Sequence, residues 1–168
     1  SSQQADALPD RAIVMTTAEH ARALGVQPIY VRGFGESHTH WSIANMPDLA
    51  WHTAAERSGR DALRMAGVGL NAIDLVELYD SFTITVLMTL EALGFCKRGE
   101  GGAFVSGQRT APGGAFALNT NGGGLSYAHP GMYGIFLLIE AVRQLRGECG
   151  ERQVKDAVSA LVHGTGGM

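Results

Sequence analysis

Residues 119–134 read Asn-Thr-Asn-Gly-Gly-Gly-Leu-Ser-Tyr-Ala-His-Pro-Gly-Met-Tyr-Gly, a polar, glycine-rich stretch that passes one histidine, His129, and enters an apolar segment. Large apolar residues recur in that segment at helical spacing: Ile135, Leu138, Ile139, Val142 and Leu145. This spacing predicts a helix that begins close to Pro130 or Gly131. Glycines such as Gly123 and Gly124 let the backbone approach a ligand, and the first N–H groups of a helix bind an anion or a developing oxyanion. The stretch is either a catalytic turn or a glycine-rich connection with an incidental histidine, and spacing alone favours neither.

A second polar group lies at the end of a predicted strand. The apolar run Leu75–Leu78 predicts a strand, and a helix is predicted from Thr83 to Leu93, with Gly94 ending it. Between them stand Tyr79, Asp80, Ser81 and Phe82, at the strand end where α/β sheets bind ligands. Tyr79 is a candidate proton donor or relay, with a structural role as the open alternative. Asp80 or Ser81 is predicted to cap the helix.

A third group lies near the end of the sequence. Residues Ala157–Val162 predict a strand that delivers His163 to the glycine-rich run 164–167, in which Gly164 and Gly166 are candidate loop glycines. Convergence of the Tyr79, His129 and His163 regions on one pocket would make a proton-transfer site.

The remaining elements alternate along the chain. Strands are predicted at Ala12–Thr16, Gln27–Arg32 and Phe116–Leu118, and helices at Thr17–Leu24 and about Leu49–Met65, while the glycine-rich run Phe95–Gly114 argues against regular structure. This order predicts an α/β fold in which a mixed β sheet is layered with helices. Residues 1–10 are polar and are predicted to be a tail or linker, and residues 11–168 one domain.

Composition narrows the class of protein. Charged residues make up only 17%, against 45% hydrophobic residues, so part of the surface is expected to be buried against another chain. A net charge of −3 without a basic run gives no support for nucleic-acid binding, and no segment predicts a membrane span. Cys96 and Cys149 have no metal-binding spacing and are predicted to be inert free thiols of a cytoplasmic protein. His38 and His40 lack a third ligand nearby, which favours a solvated loop over a metal site.

In this order, the three groups resemble the C-terminal half of the thiolase superfamily. Tyr79–Phe82, Ala128–Pro130 and His163–Gly167 stand where thiolases have an Asn-Glu-Ala-Phe motif, a Gly-His-Pro motif before a long helix, and a Cys-Gly motif. The sequence is most similar to the lipid-transfer-protein, sterol-carrier-type branch, often called acetyl-CoA acetyltransferase, and within it to aldolase-type members that use tyrosines. The resemblance implies catalytic roles for Tyr79, Tyr127, His129 and His163.

The resemblance also implies a substrate and partners. It implies C–C bond cleavage or formation on a coenzyme A thioester, of retro-aldol or Claisen type, with no covalently bound cofactor. His163 stands where a thiolase has its acid/base cysteine, which puts two-cysteine Claisen chemistry in doubt. The half that carries the nucleophilic cysteine, and the last strand, have no counterpart in these residues.

Two interpretations follow. The domain is inactive without a missing thiolase half, or it is a non-catalytic acyl-CoA-, lipid- or protein-binding domain. A homodimer or a heteromer with the missing half is expected, and a small OB-fold, zinc-ribbon partner is implied by the resemblance.

Overall fold

A small parallel sheet lies at the centre of the described part of the chain. The computed structural model describes residues 12–51, 53–127 and 132–166. The sheet consists of β1 (Leu75–Leu78), β2 (Ala117–Leu118) and β3 (Ala160–His163), in the order β2-β1-β3. Leu75 pairs with Ala117 on one side and with Ala160 on the other, and Leu78 pairs with His163. The α/β fold class and the strand β1 predicted from the sequence are confirmed, and all the described strand pairs are parallel.

The described residues contain five α-helices. They are α1 (Ala18–Ala23), α2 (Thr53–Ala66), α3 (Thr83–Leu93), α4 (Gly101–Val105) and α5 (Gly134–Leu145). Short 3-10 helices lie at Ile43–Asn45, Leu70–Ala72, Gly124–Ser126 and Gly150–Arg152. The predicted bounds of α3 are confirmed, and Gly94 adopts the left-handed conformation that ends it, with φ 92°. The α5 helix begins at Gly134, a few residues after the predicted start.

Three local predictions were wrong. Residues 12–16 and 27–32 are not strands, and α4 interrupts the region that was expected to be irregular. Val14, Met15 and Val31 are exposed, so these segments have the apolar composition of strands but no paired neighbour among the described residues. A strand needs a hydrogen-bonding partner, and composition alone does not supply one.

The strand β1 places its side chains alternately on two helical layers. Val76 and Leu78 pack with Leu90 and Leu93 of α3. On the opposite face, Tyr79, the residue after β1, packs with Tyr133 and with Leu137 of α5. All four residues of β1 are buried, and each buried leucine contributes about 2 kcal/mol through the removal of apolar surface from water. This double burial explains the nearly unbroken apolar character of the strand.

Asp74 fixes the position of β3 beside β1. Its Oδ2 accepts hydrogen bonds from the backbone N–H groups of Val158 and Ser159, each at 2.9 Å, and from the Ser159 hydroxyl at 2.8 Å. These hydrogen bonds hold the pKa of Asp74 below its usual value. Because the register is set at the start of both strands, their carboxyl ends finish side by side at Leu78 and His163.

Candidate active site

The carboxyl ends of β1 and β3 bring two of the three predicted groups together. The backbone N–H of Tyr79 donates to the carbonyl of His163 at 2.9 Å. Tyr79 is buried and His163 is half-buried. Gly164 and Gly166 follow β3 into an exposed loop, where an added Cβ would meet nothing within 4 Å. The backbones of Tyr79 and His163 therefore meet at the sheet edge that parallel α/β proteins use for ligands, while the pairing of His163 with Leu78 and the packing of Tyr79 against Tyr133 place their side chains on opposite faces of the sheet.

Asp80 ties this edge to the glycine-rich loop. Its side chain is 3% exposed, and its Oδ1 and Oδ2 accept the backbone N–H groups of Gly124 at 2.8 Å and Leu125 at 3.1 Å. Asp80 thus caps the 3-10 helix Gly124–Ser126, 44 residues away in sequence. The prediction that Asp80 or Ser81 caps α3 was wrong: Phe82 is the N-cap residue of α3 and makes no side-chain cap, and the Ser81 hydroxyl pairs with that of Thr85.

Gly123 and Gly124 are required by this contact. Gly123 has φ 70°, a conformation that strains any residue with a Cβ, and an added Cβ would collide with the Asp80 carboxylate. At Gly124 an added Cβ would lie 3.0 Å from Asp80 Oδ1 and 3.4 Å from the Tyr133 ring. The two predicted loop glycines therefore allow the loop to close over Asp80. Their proposed part in stabilising an oxyanion stays a prediction.

Tyr133 is a site residue that the sequence reasoning missed. It is 2% exposed, its ring meets that of Tyr79 edge-on at 5.8 Å, and it stacks on Phe136 at 5.7 Å. Burial, followed by the charge of Asp80, raises the pKa of the Tyr133 hydroxyl. The available signal was an aromatic residue immediately before the helix that follows the histidine motif.

Tyr127 is a further tyrosine close to Tyr133. It is 59% exposed and lines a surface cavity of about 90 Å³. The other residues that line this cavity are Asn121, Tyr133, Phe136, Ile139, Glu140, Arg143 and Arg152. Tyr133 thus contacts the Tyr79 ring and also lines the cavity at which Tyr127 lies. His129, with the rest of residues 128–131, lies outside the described residues.

Neither cysteine has the character of a nucleophile. Burial, followed by the charges of Glu91 and Glu100, raises the pKa of the Cys96 thiol. Burial and the charge of Glu140 raise the pKa of the Cys149 thiol to about 11. Both thiols are free and protonated at neutral pH, as expected for the inert cysteines predicted from the sequence.

The described part of the chain holds neither a cluster of metal ligands nor a membrane-spanning helix. Within residues 12–51, 53–127 and 132–166, no three His, Cys, Asp or Glu side chains are grouped so that they could hold a metal ion. His38 bonds Glu36 and His40 bonds Thr39, each at 2.8 Å. None of the described helices combines the length and apolarity needed to cross a membrane.

The site therefore contains groups suited to holding and moving protons at the carboxyl ends of parallel strands. The family model of the thiolase C-terminal domain-like family matches residues 35–168. The chain belongs to this family. The thiolase-like fold expected from the three motifs is thereby confirmed.

Individual relatives agree with this assignment. The acetyl-CoA acetyltransferase of Methanothermobacter thermautotrophicus is 34% identical over 157 residues, which cover 93% of this chain and 41% of that protein. Sterol carrier protein 2 of Rattus norvegicus is 40% identical over 119 residues, or 70% of this chain and 22% of that protein. The benzoylsuccinyl-CoA thiolase subunit BbsB of Thauera aromatica is 34% identical over 93% of this chain and 41% of its own length.

A solved structure shows the same fold. The structure titled Ltp2-ChsH2(DUF35) aldolase superposes with a TM-score of 0.66 at 29% sequence identity, over 76% of this chain and 34% of that chain. The present chain therefore spans about two fifths or less of each of these proteins.

Proposed function

We propose that this chain is the C-terminal domain of an enzyme that breaks or forms a carbon–carbon bond on a coenzyme A thioester. The observation that carries the proposal is the pair of tyrosine rings, Tyr79 and Tyr133, at the carboxyl end of β1. Tyr79 follows the strand, its ring meets Tyr133, and Tyr133 shares a surface cavity with Tyr127. The backbone bond between Tyr79 and His163 adds a histidine-bearing loop to the same edge.

Retro-aldol cleavage is the direction that these groups favour. A base removes the proton of the β-hydroxyl group, the bond between the α and β carbons breaks, and the hydroxyl-bearing carbon becomes a carbonyl. The bonding electron pair passes to the thioester as an enolate, which a tyrosine then protonates at the α carbon. We assign the acid and base roles to Tyr79 and Tyr127, and stabilisation of the enolate oxygen to His129 and His163.

Claisen chemistry is the alternative direction, and the cysteines argue against it. A Claisen reaction of the thiolase type needs a thiolate, whereas the pKa values of both thiols in this chain are raised. The family's acid/base cysteine is replaced by His163. The similar solved structure is titled an aldolase, which supports the same choice.

We further propose that activity requires a second thiolase half, supplied by the same polypeptide or by a partner subunit. Large apolar side chains near the site and in the first described segment are exposed, among them Leu125, Met132, Val14 and Phe34. The relatives that match are more than twice as long as the matched part. A homodimer, a heteromer with such a half and a complex with a small OB-fold, zinc-ribbon protein are the assemblies to test.

The test combines the purified chain with a candidate N-terminal thiolase half and follows cleavage of a β-hydroxyacyl-CoA. Cleavage by the mixture, and a loss of about 100-fold or more in Tyr79→Phe and Tyr127→Phe, would support the proposal. Tyr30→Phe is the matched control, because Tyr30 is an exposed tyrosine outside the cavity. Full activity in all three variants would refute the assignment. Acyl-CoA binding without turnover, with every candidate half, would instead establish a non-catalytic acyl-CoA- or lipid-binding domain.

A further inference from the structure

A buried carboxyl group lies beneath the glycine-rich loop. Glu77 on β1 is 0% exposed. Its Oε1 lies 3.2 Å from the backbone N–H of Thr120, which donates to it, and 2.8 Å from the Thr120 hydroxyl. Its Oε2 is buried without a hydrogen-bonding partner among the described residues. A carboxylate in this position would leave one charged oxygen without solvent or a donor from the described residues, which disfavours the ionised form.

The Thr120 hydroxyl also contacts a second carboxyl group, that of Glu140 on α5. The two oxygens lie 2.8 Å apart. Glu140 receives two hydrogen bonds from the Arg152 guanidinium, both at 3.0 Å, and one from Gln144 at 3.2 Å. Burial alone would raise the pKa of Glu140, but the bonds from Arg152, Thr120 and Gln144 together lower it. Glu140 is therefore the ionised partner.

One hydroxyl proton serves only one of these carboxyl groups. If Thr120 donates its proton to the ionised Glu140, its oxygen is left as an acceptor, and a proton on Glu77 Oε1 completes the chain of hydrogen bonds. The charged groups that act on Glu77 are Glu140 from α5 and Asp80 after β1, both negative. Arg152 is paired with Glu140, and Tyr133 is neutral. On β3, Val162 pairs with Glu77, so His163 alternates to the other face.

We infer that Glu77 is a proton-carrying positioning residue that, in its neutral form, fastens the loop bearing Tyr127 to β1 through Thr120. Loss of the proton places two carboxylates on one hydroxyl and loosens the loop. Asn119 anchors the start of the same loop, because its Oδ1 accepts the backbone N–H of Leu78 at 2.7 Å. The contact between Thr120 and Glu77, which depends on the proton, therefore lies one residue after the hydrogen bond of Asn119 to β1. This inference goes beyond the proposed reaction and does not depend on it.

The pH dependence follows from the change in the pKa of Glu77. Burial raises the pKa from 4.5 to about 7 when the loop is closed, whereas an open loop exposes the carboxyl group to water. Because the closed form binds the proton more tightly, its stability is fully present below pH 4.5 and falls as the pH rises to about 7. The expected loss is about tenfold per pH unit in the closing equilibrium, or about 300-fold over this interval.

Backbone hydrogen exchange of the 168-residue chain, measured by NMR from about pH 4.5 to about pH 8 and corrected for intrinsic exchange rates, tests the inference. The reporter is the Thr120 N–H, which donates to Glu77. In the wild type, its protection should fall by up to about 300-fold and level off near pH 7. Glu77→Gln has the shape of the neutral acid, so its protection should stay high and independent of pH.

Glu91→Gln is the matched control. Glu91 Oε1 also accepts a backbone N–H from a distant residue, that of Gly101 at 2.8 Å, but lies away from the loop. This variant should keep the wild-type pH dependence at Thr120. The side-chain carboxyl carbon of Glu77, followed by NMR in the wild type, should titrate near pH 7.

Two results would overturn the inference: titration of the Glu77 carboxyl carbon near pH 4.5, or the same pH dependence of Thr120 protection in Glu77→Gln and the wild type. Both readouts are independent of turnover. A failure of the proposed carbon–carbon bond chemistry would leave them unchanged, so the two failures are distinguishable.

Discussion

Replacement of Asp80 should reveal how strongly the site's loop depends on one carboxylate. In Asp80→Ala the N–H groups of Gly124 and Leu125 lose their acceptors. Gly124 is buried, so its unsatisfied N–H costs about 2 kcal/mol, whereas Leu125 is 55% exposed and water replaces most of its bond, leaving a loss of about 1 kcal/mol. The expected total is about 3 kcal/mol of unfolding free energy.

Asp80→Asn separates the two hydrogen bonds. The amide oxygen keeps the acceptor for Gly124, but the amide nitrogen then faces the N–H of Leu125 and cannot accept from it. A loss of about 1 kcal/mol is expected, clearly smaller than for Asp80→Ala.

Urea unfolding followed by circular dichroism measures both losses, as a shift of the midpoint at constant slope. Ser81→Ala, in the same turn, is the control and should stay within about 0.5 kcal/mol of the wild type, because its hydroxyl pairs with that of Thr85 at the start of α3. The reasoning fails if Asp80→Ala unfolds at the wild-type midpoint, or if the alanine and asparagine variants are equally destabilised.

Three further predictions concern the surroundings of the loop. Gly123→Ala should cost about 2 kcal/mol or more, because φ is 70° and the new Cβ meets Asp80, and a thermal melt unchanged from the wild type would contradict this. Leu137→Ala should cost about 3 kcal/mol of unfolding free energy and the neighbouring Leu138→Ala less than about 1 kcal/mol, because Leu137 is 0% and Leu138 46% exposed. Equal losses of stability in urea unfolding would show that α5 packs on the sheet through a different face. Arg152→Met should cost about 2 kcal/mol at neutral pH, because it leaves the carboxylate of Glu140 buried without a cation. Glu140 has a lowered pKa in the wild type, so its ion pair with Arg152 stabilises the fold above about pH 4.5 and is lost on acidification. The difference in stability between Arg152→Met and the wild type should therefore shrink as the pH falls. Parallel pH–stability curves for the two proteins would contradict this.

The elements that could be predicted from the sequence are those whose signals are local. The strand β1 is a short apolar run between turn residues, and α3 is an apolar run that ends at a glycine in the left-handed conformation. Both were predicted with their bounds because every part of the signal lies within a few residues. Residues 12–16 and 27–32 have the same local signal but lack a described strand neighbour, and a strand depends on that neighbour.

The candidate site was only partly predictable for the same reason. The sequence identified the turn that holds Tyr79 and the strand that delivers His163, and the structure places their backbones in contact. It gave no sign that Asp80 accepts hydrogen bonds from residues more than 40 positions away, or that the Tyr133 ring packs against that of Tyr79. These contacts depend on how α5 packs on the sheet, which spacing along the chain does not specify.

Two buried carboxyl groups, those of Glu77 and Asp80, hold different parts of the loop. Glu77 holds the first part of the loop at Thr120, and Asp80 holds its later part at Gly124 and Leu125. Tyr127 follows two residues after Leu125 and is exposed. A side chain that projects from a loop fixed at two points is pre-positioned, so the binding of a substrate or a second half need not first order it. The Thr120 hydroxyl is shared by two carboxyl groups, Glu77 and Glu140, whereas Asp80 accepts directly from the backbone N–H groups of Gly124 and Leu125. A rise in pH should therefore release the early part of the loop while Gly124 and Leu125 stay fastened.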